Sequence, residues 1–420
     1  MFSNDTINPY GIGSPGELYG QPARTMPARR MLTRRLSTRV ATLCCIVLAL
    51  CLLSPSLWRS LPGDAGLQQL LVPGDSSVRG LLRSAASFTQ LIDQALWPSR
   101  PLLTHLHSLA WLALLVWIVG ATYRRFGAAS HGLSLALLLF AIDDAHAPLV
   151  TSLANRNSVV ALCLALPALL VHDRQRRSGF LQGIWIGPLL MCTALLSGQA
   201  ALSVCAYLIA YAWCFDRGSW VARFGSLLPY AVVVLGWKLS TLYLDHGVLP
   251  SAPHLGPDPA HTLLALGLDV CQRLPVLALS LIAAPFADFW QSFSLSAPWL
   301  RVSVLCEALI VLGLFGLALR PLMRRHARIH FWSTGSALSL LFVCVGFPED
   351  RLLIGPSLGA LAIIAEMIEV GWARRKHLVP VLGMGALAAV HLVAAPVLAP
   401  LRAGRVGELA WPAAEHGRAP

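Results

Sequence analysis

The residues able to do chemistry in this chain are few, and they gather at the ends of apolar runs. "AIDDAHAPLVTSLANRN" (141–157) sets Asp143, Asp144 and His146 at the close of one greasy run, and Asn155 and Arg156 at the start of the next. "FPEDRLLIGPSLG" (347–359) places Glu349, Asp350 and Arg351 in a row, with Ser357 just behind them. Gln199 sits in "LLSGQAAL", Lys238 inside a further apolar stretch, and Asp64 in "LPGDAG". A positioned carboxylate can take a proton from a hydroxyl. A planar guanidinium can grip a phosphate through two parallel bonds. The pattern therefore suits transfer of a group from a phosphate carrier to a hydroxyl.

Each of these residues also has a plainer reading. If the helix continues through 143–146, Asp143 and His146 share a face and Asp144 turns elsewhere. Two adjacent carboxylates disfavour each other's ionisation. They either line a cavity, where an intramembrane acid is functional by default, or form a solvated loop in which one Asp caps a helix end. Arg156 binds phosphate or snorkels into headgroups, and snorkelling is the ordinary reading of Lys238. Asn155 and Asn157 are typical helix caps. Glu349, Asp350 and Arg351 also read as a local ion pair, worth little when exposed. Glu366 and Glu369 fall near the inner end of a span and are expected to pair with basic residues. His105 and His107 cannot both face one partner, and they read as satisfied histidines rather than as metal ligands. None of these spacings is the H-x-x-x-H type that would make a metal site compelling.

The elements carrying these residues belong to a bilayer. Of 420 residues, 56% are hydrophobic and only 12% charged, with a mean hydropathy of +0.65; a soluble domain carries about a quarter charged residues. The net charge of +12 would suggest nucleic acid in a soluble protein. Here the arginines fall in short clusters between apolar runs, the positive-inside pattern, so no nucleic-acid partner is expected. The ten cysteines lie almost entirely within apolar runs and form no C-x-x-C pair. They read as small buried hydrophobes rather than as a zinc site or a disulfide framework.

The expected fold is all-α, a polytopic membrane protein with about eleven spans of roughly 20 residues each. Residues 1–39 form a basic, Gly- and Pro-rich cytoplasmic tail expected to be disordered, and 40–400 the transmembrane domain. The spans fall at about 40–57, 101–123, 128–147, 157–171, 181–197, 200–215, 224–243, 301–320, 331–347, 352–372 and 378–399. Residues 58–100 make a first outer loop, 244–298 an outer loop with a re-entrant or interfacial segment, and 401–420 a short outer tail. This arrangement puts every strong basic cluster on one side. The outer ends collect Asp143, Asp144, His146, Asn155, Arg156, Gln199, Lys238, Glu349 and Arg351, and the inner ends mostly unpaired arginine. A transporter or flippase would show paired inverted repeats and matching broken helices, and neither is visible.

Three stretches resemble bacterial GT-C glycosyltransferases of the protein O-mannosyltransferase type. "SRPLLTHLHSLAWLALLVW" (99–117) is similar to the arginine–proline start of their second span. "DDAHAPLVTSLANRN" looks like their short second outer loop, and "PEDRLLIGPSLGALAII" like their acid–arginine–Leu-Tyr-x-Pro-Ser-x-Gly motif. The resemblance implies an outward-facing site that moves a sugar from a polyprenyl-phosphate carrier to an acceptor. Asp144, Asp143 or Asp64 would be the base or the carrier-orienting acid. Arg156 and Arg351 would hold phosphate, with His146, Asn155, Gln199, Lys238, Glu349 and Ser357 around the substrate. No cofactor is called for, and a divalent cation is left open. A bacterial inner membrane, with the active face periplasmic or extracellular, is the implied setting. The chain departs from the pattern: the first outer loop offers only unpaired Asp64, Asp75 and Asp93, Gln199 stands where many relatives carry Glu, and Ile354 replaces Tyr. The chain also stops after the last span, with no extracellular domain or helical repeats following it. A catalytically inactive relative that binds lipid or a protein partner is the alternative.

Overall fold

A computed structural model of the chain describes residues 28–58, 88–98, 100–127, 131–245, 259–283, 298–324, 326–345 and 350–404. Asp64, Asp75 and Glu349 lie outside the described residues, as do 246–258 and 284–297 of the long loop. The described chain is about 90% helical and contains no strand. In lipid every backbone polar group must be satisfied within the segment, and runs of Leu, Ala and Val do this as helices. The chain divides into two compact units, Met1–Ala41 and Thr42–Pro420. Helix α1 (Ala28–Leu53) runs through that division, and everything below concerns the second unit.

After α1 come the short α2 (Phe88–Leu96) and the long α3 (Pro101–Phe126). Pro101 suits the first turn, where its missing N–H is not needed. Helix α4 (His131–Ala141) ends at the acid pair; a single 3-10 turn (Asp144–His146) leads into α5 (Ala147–Thr151), and the two halves are bent by 42°. The cause is local. The Asp143 side chain accepts from the Ala145 N–H at 3.2 Å, which starts a new turn instead of extending the old one. Asp143 and His146 therefore do not share one continuous helical face, as a helix carried through 143–146 would have required.

Helix α6 (Leu153–Ser178) ends on Gly179 in the left-handed conformation (φ 67°), the usual glycine stop. Helices α7 (Gly183–Ser197) and α8 (Leu202–Cys214) are joined by a 3-10 turn at Gln199–Ala201. The chain continues through α9 (Trp220–Gly225), α10 (Leu228–Asp245), α11 (Pro259–Ile282), α12 (Pro298–Met323), α13 (Ala327–Val345) and α14 (Asp350–Ala373). The last two are α15 (Leu378–Ala388) and α16 (Ala395–Ala403), joined by a π-helical turn at Ala389–Ala394.

Among the described residues, six helices are long and apolar enough to cross a membrane: Thr38–Trp58, Pro101–Phe126, Asn155–Ser178, Val302–Met323, Arg351–Ala373 and Pro380–Ala403. The bent pair at 132–151 makes a seventh if it is one span. At 15 and 13 residues, α7 and α8 are about 22 and 20 Å long, short of a hydrocarbon core of about 30 Å. Within the outer-loop segment expected at 244–298, Pro259–Ile282 is helical as α11. Its Asp269, Gln272 and Arg273 hide the helix from a hydropathy reading. It ends where the Ile282 carbonyl meets His391 Nε2 at 3.0 Å, inside the π-helical turn.

The packing centre is α14 against α13, α4 and α15, with α8 along α13 and α6 between α3 and α7. The "LLIGPSLG" motif makes this packing close. The Tyr207 hydroxyl donates to the Gly355 carbonyl at 3.0 Å and accepts from the Gly359 N–H at 2.9 Å. Those are the two ends of one α-helical rung, so the phenol is inserted into the ladder of α14. A Cβ on Gly359 would run into the Trp332 carbonyl of α13. Tyr123 and Ser336 add bonds to the Leu358 and Pro356 carbonyls at 2.8 and 2.7 Å.

Candidate functional site

The charged residues meet at the end of the bundle that bears the bent α4–α5 turn. Helix α2 supplies the central acid, and it is folded inside out. Thr89, Gln90 and Asp93 are buried, whereas Phe88 and Leu96 are more than 60% exposed. The Gln90 amide fastens α2 by donating to the Leu153 carbonyl at 3.0 Å. Asp93 then faces Arg156 on the first turns of α6, with 2.5 Å between Oδ2 and Nη1. Arg156 is the largest fully buried side chain in the described structure. Its Nε donates to Ser108 Oγ at 3.0 Å and its Nη2 to the Thr104 carbonyl at 3.4 Å, both on α3.

The other Asp93 oxygen is shared by two rings. Oδ1 lies 2.6 Å from His107 Nδ1 and accepts from the Trp97 indole at 3.2 Å. Trp111 donates its indole N–H to His107 Nε2 at 2.9 Å. With its proton on Nδ1 the imidazole donates to Asp93 and accepts from Trp111 at Nε2; Arg156 Nη1 lies 3.1 Å from the same Nδ1. The His107 side chain is 18% exposed and that of Asp93 7%, so the imidazole is the more open member of the pair. Asp93 is thus a buried carboxylate held in a rigid frame by a guanidinium and by the N–H groups of His107 and Trp97.

A second node lies next to the first in sequence. Asp144 is bound by Arg402 of α16, with 2.8 Å between Oδ2 and Nη1. Asn155 joins three elements: its Nδ2 donates to the Pro148 carbonyl at 3.2 Å, and its Oδ1 accepts from Arg351 Nη1 of α14 at 3.2 Å. Arg351 is half-buried. His146 is buried with its ring edge-on to Phe140, centroids 4.7 Å apart.

The structure thus brings Asp143, Asp144, His146, Asn155, Arg156 and Arg351 to one end. Ser357 and Lys238, also expected around the substrate, form no hydrogen bond or ion pair with these residues among the described residues. Ser357 is buried in the packing of α14, and its hydroxyl donates to the Ile354 carbonyl of its own helix at 2.9 Å. Lys238 is exposed on α10 and makes no ion pair among the described residues. Gln199 is exposed at the α7–α8 tip; the backbone of the adjacent Gly198 lies against Asn157, so the tip is at the same end. His105 and His107 do face different partners: His105 Nδ1 lies 3.1 Å from the Val150 carbonyl. Among the described residues, no group of three or more His, Cys, Asp or Glu side chains is placed to hold a metal ion.

Asp93, His107 and Arg402 were not among the site residues expected from sequence, and each left a trace there. In "FTQLIDQALW", Phe88, Ile92 and Leu96 form one stripe and Thr89, Asp93 and Trp97 the other, which is an amphipathic helix. Arg402 closes the last apolar run and is drawn back into the bundle. An arginine in such a place needs an acid.

At the other end the arginines are paired, contrary to the expectation of unpaired anchors. Asp173 is bound by Arg125 and by Arg177, the latter at 2.7 Å. Arg176 holds Asp216 through two bonds of 2.6 and 3.0 Å. Arg328 meets Glu366 at 3.3 Å, as the sequence suggested for that acid. Burial alone would raise the Asp216 carboxyl, but the Arg176 bonds and the Gly218 N–H outweigh it and hold it below the usual carboxylate value.

These features define a class, an all-helical membrane protein with a charged network buried at one end of its bundle and a basic rim at the other. Comparison with protein-family models, curated proteins and solved structures found no match.

Proposed function

We propose that this protein is a GT-C-like membrane glycosyltransferase that moves a sugar from a polyprenyl-phosphate carrier to a hydroxyl acceptor, with the Asp93–His107 pair as its proton acceptor. One observation carries the reading. An acid from the segment between the first two spans, Asp93, is buried against Arg156, a residue the resemblance sets beside the carrier phosphate. In the proposed step the acceptor oxygen bonds to the sugar C1 as the bond from C1 to the phosphate oxygen breaks. The hydroxyl proton passes to His107 Nε2, which gives up its bond from the Trp111 indole to take it, while Nδ1–H stays on Asp93. Phosphate is a good leaving group, so no acid need protonate it; a guanidinium compensates its charge. Arg156 is committed to Asp93 and fixes that carboxylate. The carrier phosphate is assigned to Arg351, which the resemblance gives that role and which lies half-buried beside Asn155. Asp144, clamped by Arg402, is a positioning residue.

The alternating basic clusters support about eleven crossings, with α7 and α8 as a short hairpin and α11 dipping to mid-membrane before returning. The Arg125–Arg176 end would be cytoplasmic and the Asp93 end periplasmic or extracellular, in a bacterial inner membrane.

A second reading rests on the complete burial of Arg156 and the full set of donors on Asp93, the marks of a structural clamp in a non-catalytic membrane protein. Transfer from a panel of polyprenyl-phosphate sugars in proteoliposomes separates the two. Carrier-dependent transfer that is lost in Asp93→Asn with the protein still folded supports the enzyme. Transfer that survives Asp93→Asn, or no transfer from any donor of the panel, supports the clamp.

A further inference from the structure

The last turns of α12 carry a cationic cavity that the proposed reaction does not use. It measures about 470 Å³ and is lined by Leu317, Arg320, Pro321 and Arg324. That spacing sets all four on one helix face. Pro321 has no N–H to complete the rung to the Leu317 carbonyl, so the helix is loosened where the cavity lies. Arg320 and Arg324 are exposed, and neither forms an ion pair among the described residues. The sequence supplies no acid nearby, since residues 308–348 contain no Asp or Glu. Asp173, Asp216 and Glu366 at the same end are already bound by Arg177, Arg176 and Arg328. Like charges four residues apart on a helix repel, and an anion between them removes that cost.

We infer that this cavity binds a lipid phosphomonoester of the phosphatidic acid type, with the phosphate between Arg320 and Arg324 and an acyl chain along Ile310, Leu314 and Leu317. A phosphomonoester carries about 1.5 to 2 negative charges at neutral pH, which matches two guanidinium groups. A phosphodiester headgroup carries one. Arginine also grips phosphate oxygens through parallel bonds. Ile310, Leu314 and Leu317 are each more than 60% exposed and form one stripe that runs into the cavity. They belong to a helix long and apolar enough to cross a membrane, and this continuity favours a lipid over a free phosphate. The inference does not depend on glycosyl transfer, whose proposed residues lie at the opposite end, and it survives the failure of that reading.

Thermal unfolding of the full chain in a neutral detergent at neutral pH tests it, with phosphatidic acid, phosphatidylglycerol, phosphatidylcholine or free glycerol phosphate added. The expected result is a saturable rise in midpoint temperature with phosphatidic acid, at least twice that with phosphatidylglycerol, and none with the other two. The rise should be at least halved in Arg320→Gln/Arg324→Gln. It should be kept in Arg374→Gln/Arg375→Gln, which removes the same charge from exposed arginines elsewhere on the chain. No rise with phosphatidic acid, an equal rise with phosphatidylglycerol or with free glycerol phosphate, or an equal loss in the two glutamine variants overturns the inference.

Discussion

At the scale of single residues, the Asp93–Arg156 contact governs both stability and the proposed chemistry. Both side chains are buried, so removing one leaves an uncompensated charge. Arg156→Leu alone should lower stability by about 3–5 kcal/mol, whereas Asp93→Leu/Arg156→Leu should recover most of that loss. Unfolding midpoints of the three proteins check this, and a double variant no better than the single would contradict the pairing. Asp216 gives a pH signature. Its folded carboxyl sits below the ordinary value, so its bonds with Arg176 stabilise the protein above the unfolded value of about 3.9. That contribution fades as pH falls through the lowered folded value. Asp216→Asn should therefore melt earlier than wild type at pH 7 and converge with it in acid. A constant gap across the range would be the wrong outcome. The sequence displayed Asp144 and Arg156 as residues of interest but not their partners, because Asp93 and Arg402 lie 63 and 258 residues away along the chain. Only three-dimensional packing assigns a charge its counter-charge at such separations.

At the scale of elements, the helices themselves were readable and their breaks less so. Apolar length alone gives α3, α6, α12 and α14. The bend after Ala141 depends on one carboxylate turning back to cap its own chain, a bond that competes with helix continuation and leaves no periodic signal. The "GPSLG" segment resembles a substrate motif in sequence and acts in the fold as a packing device, with a tyrosine inside its ladder. Tyr207→Phe should thus cost about 1–3 kcal/mol, because it leaves the Gly355 carbonyl and the Gly359 N–H to re-form a strained rung. Gly359→Ala should cost more, since the added carbon meets backbone of α13. Thermal melts that place Gly359→Ala level with wild type would contradict the close approach.

At the scale of the whole molecule, composition established a helical membrane protein, and the basic clusters separated two ends that the structure keeps apart. Gln199 marks the Asp93 end and Ser219 the basic end, both exposed. In a background lacking the ten native cysteines, Gln199→Cys should react with a membrane-impermeant maleimide in intact cells, and Ser219→Cys only after permeabilisation. The reverse pattern would invert the proposed orientation. The most direct measurement of the central claim is the initial rate of sugar transfer from polyprenyl phosphate by wild type, Asp93→Asn, Asp144→Asn and Asp64→Asn in identical proteoliposomes, normalised to folded protein. The account predicts a loss of about 100-fold or more for Asp93→Asn, with Asp144→Asn and Asp64→Asn retaining most of the rate per folded molecule. Wild-type transfer that persists in Asp93→Asn and vanishes in Asp144→Asn or Asp64→Asn would contradict it.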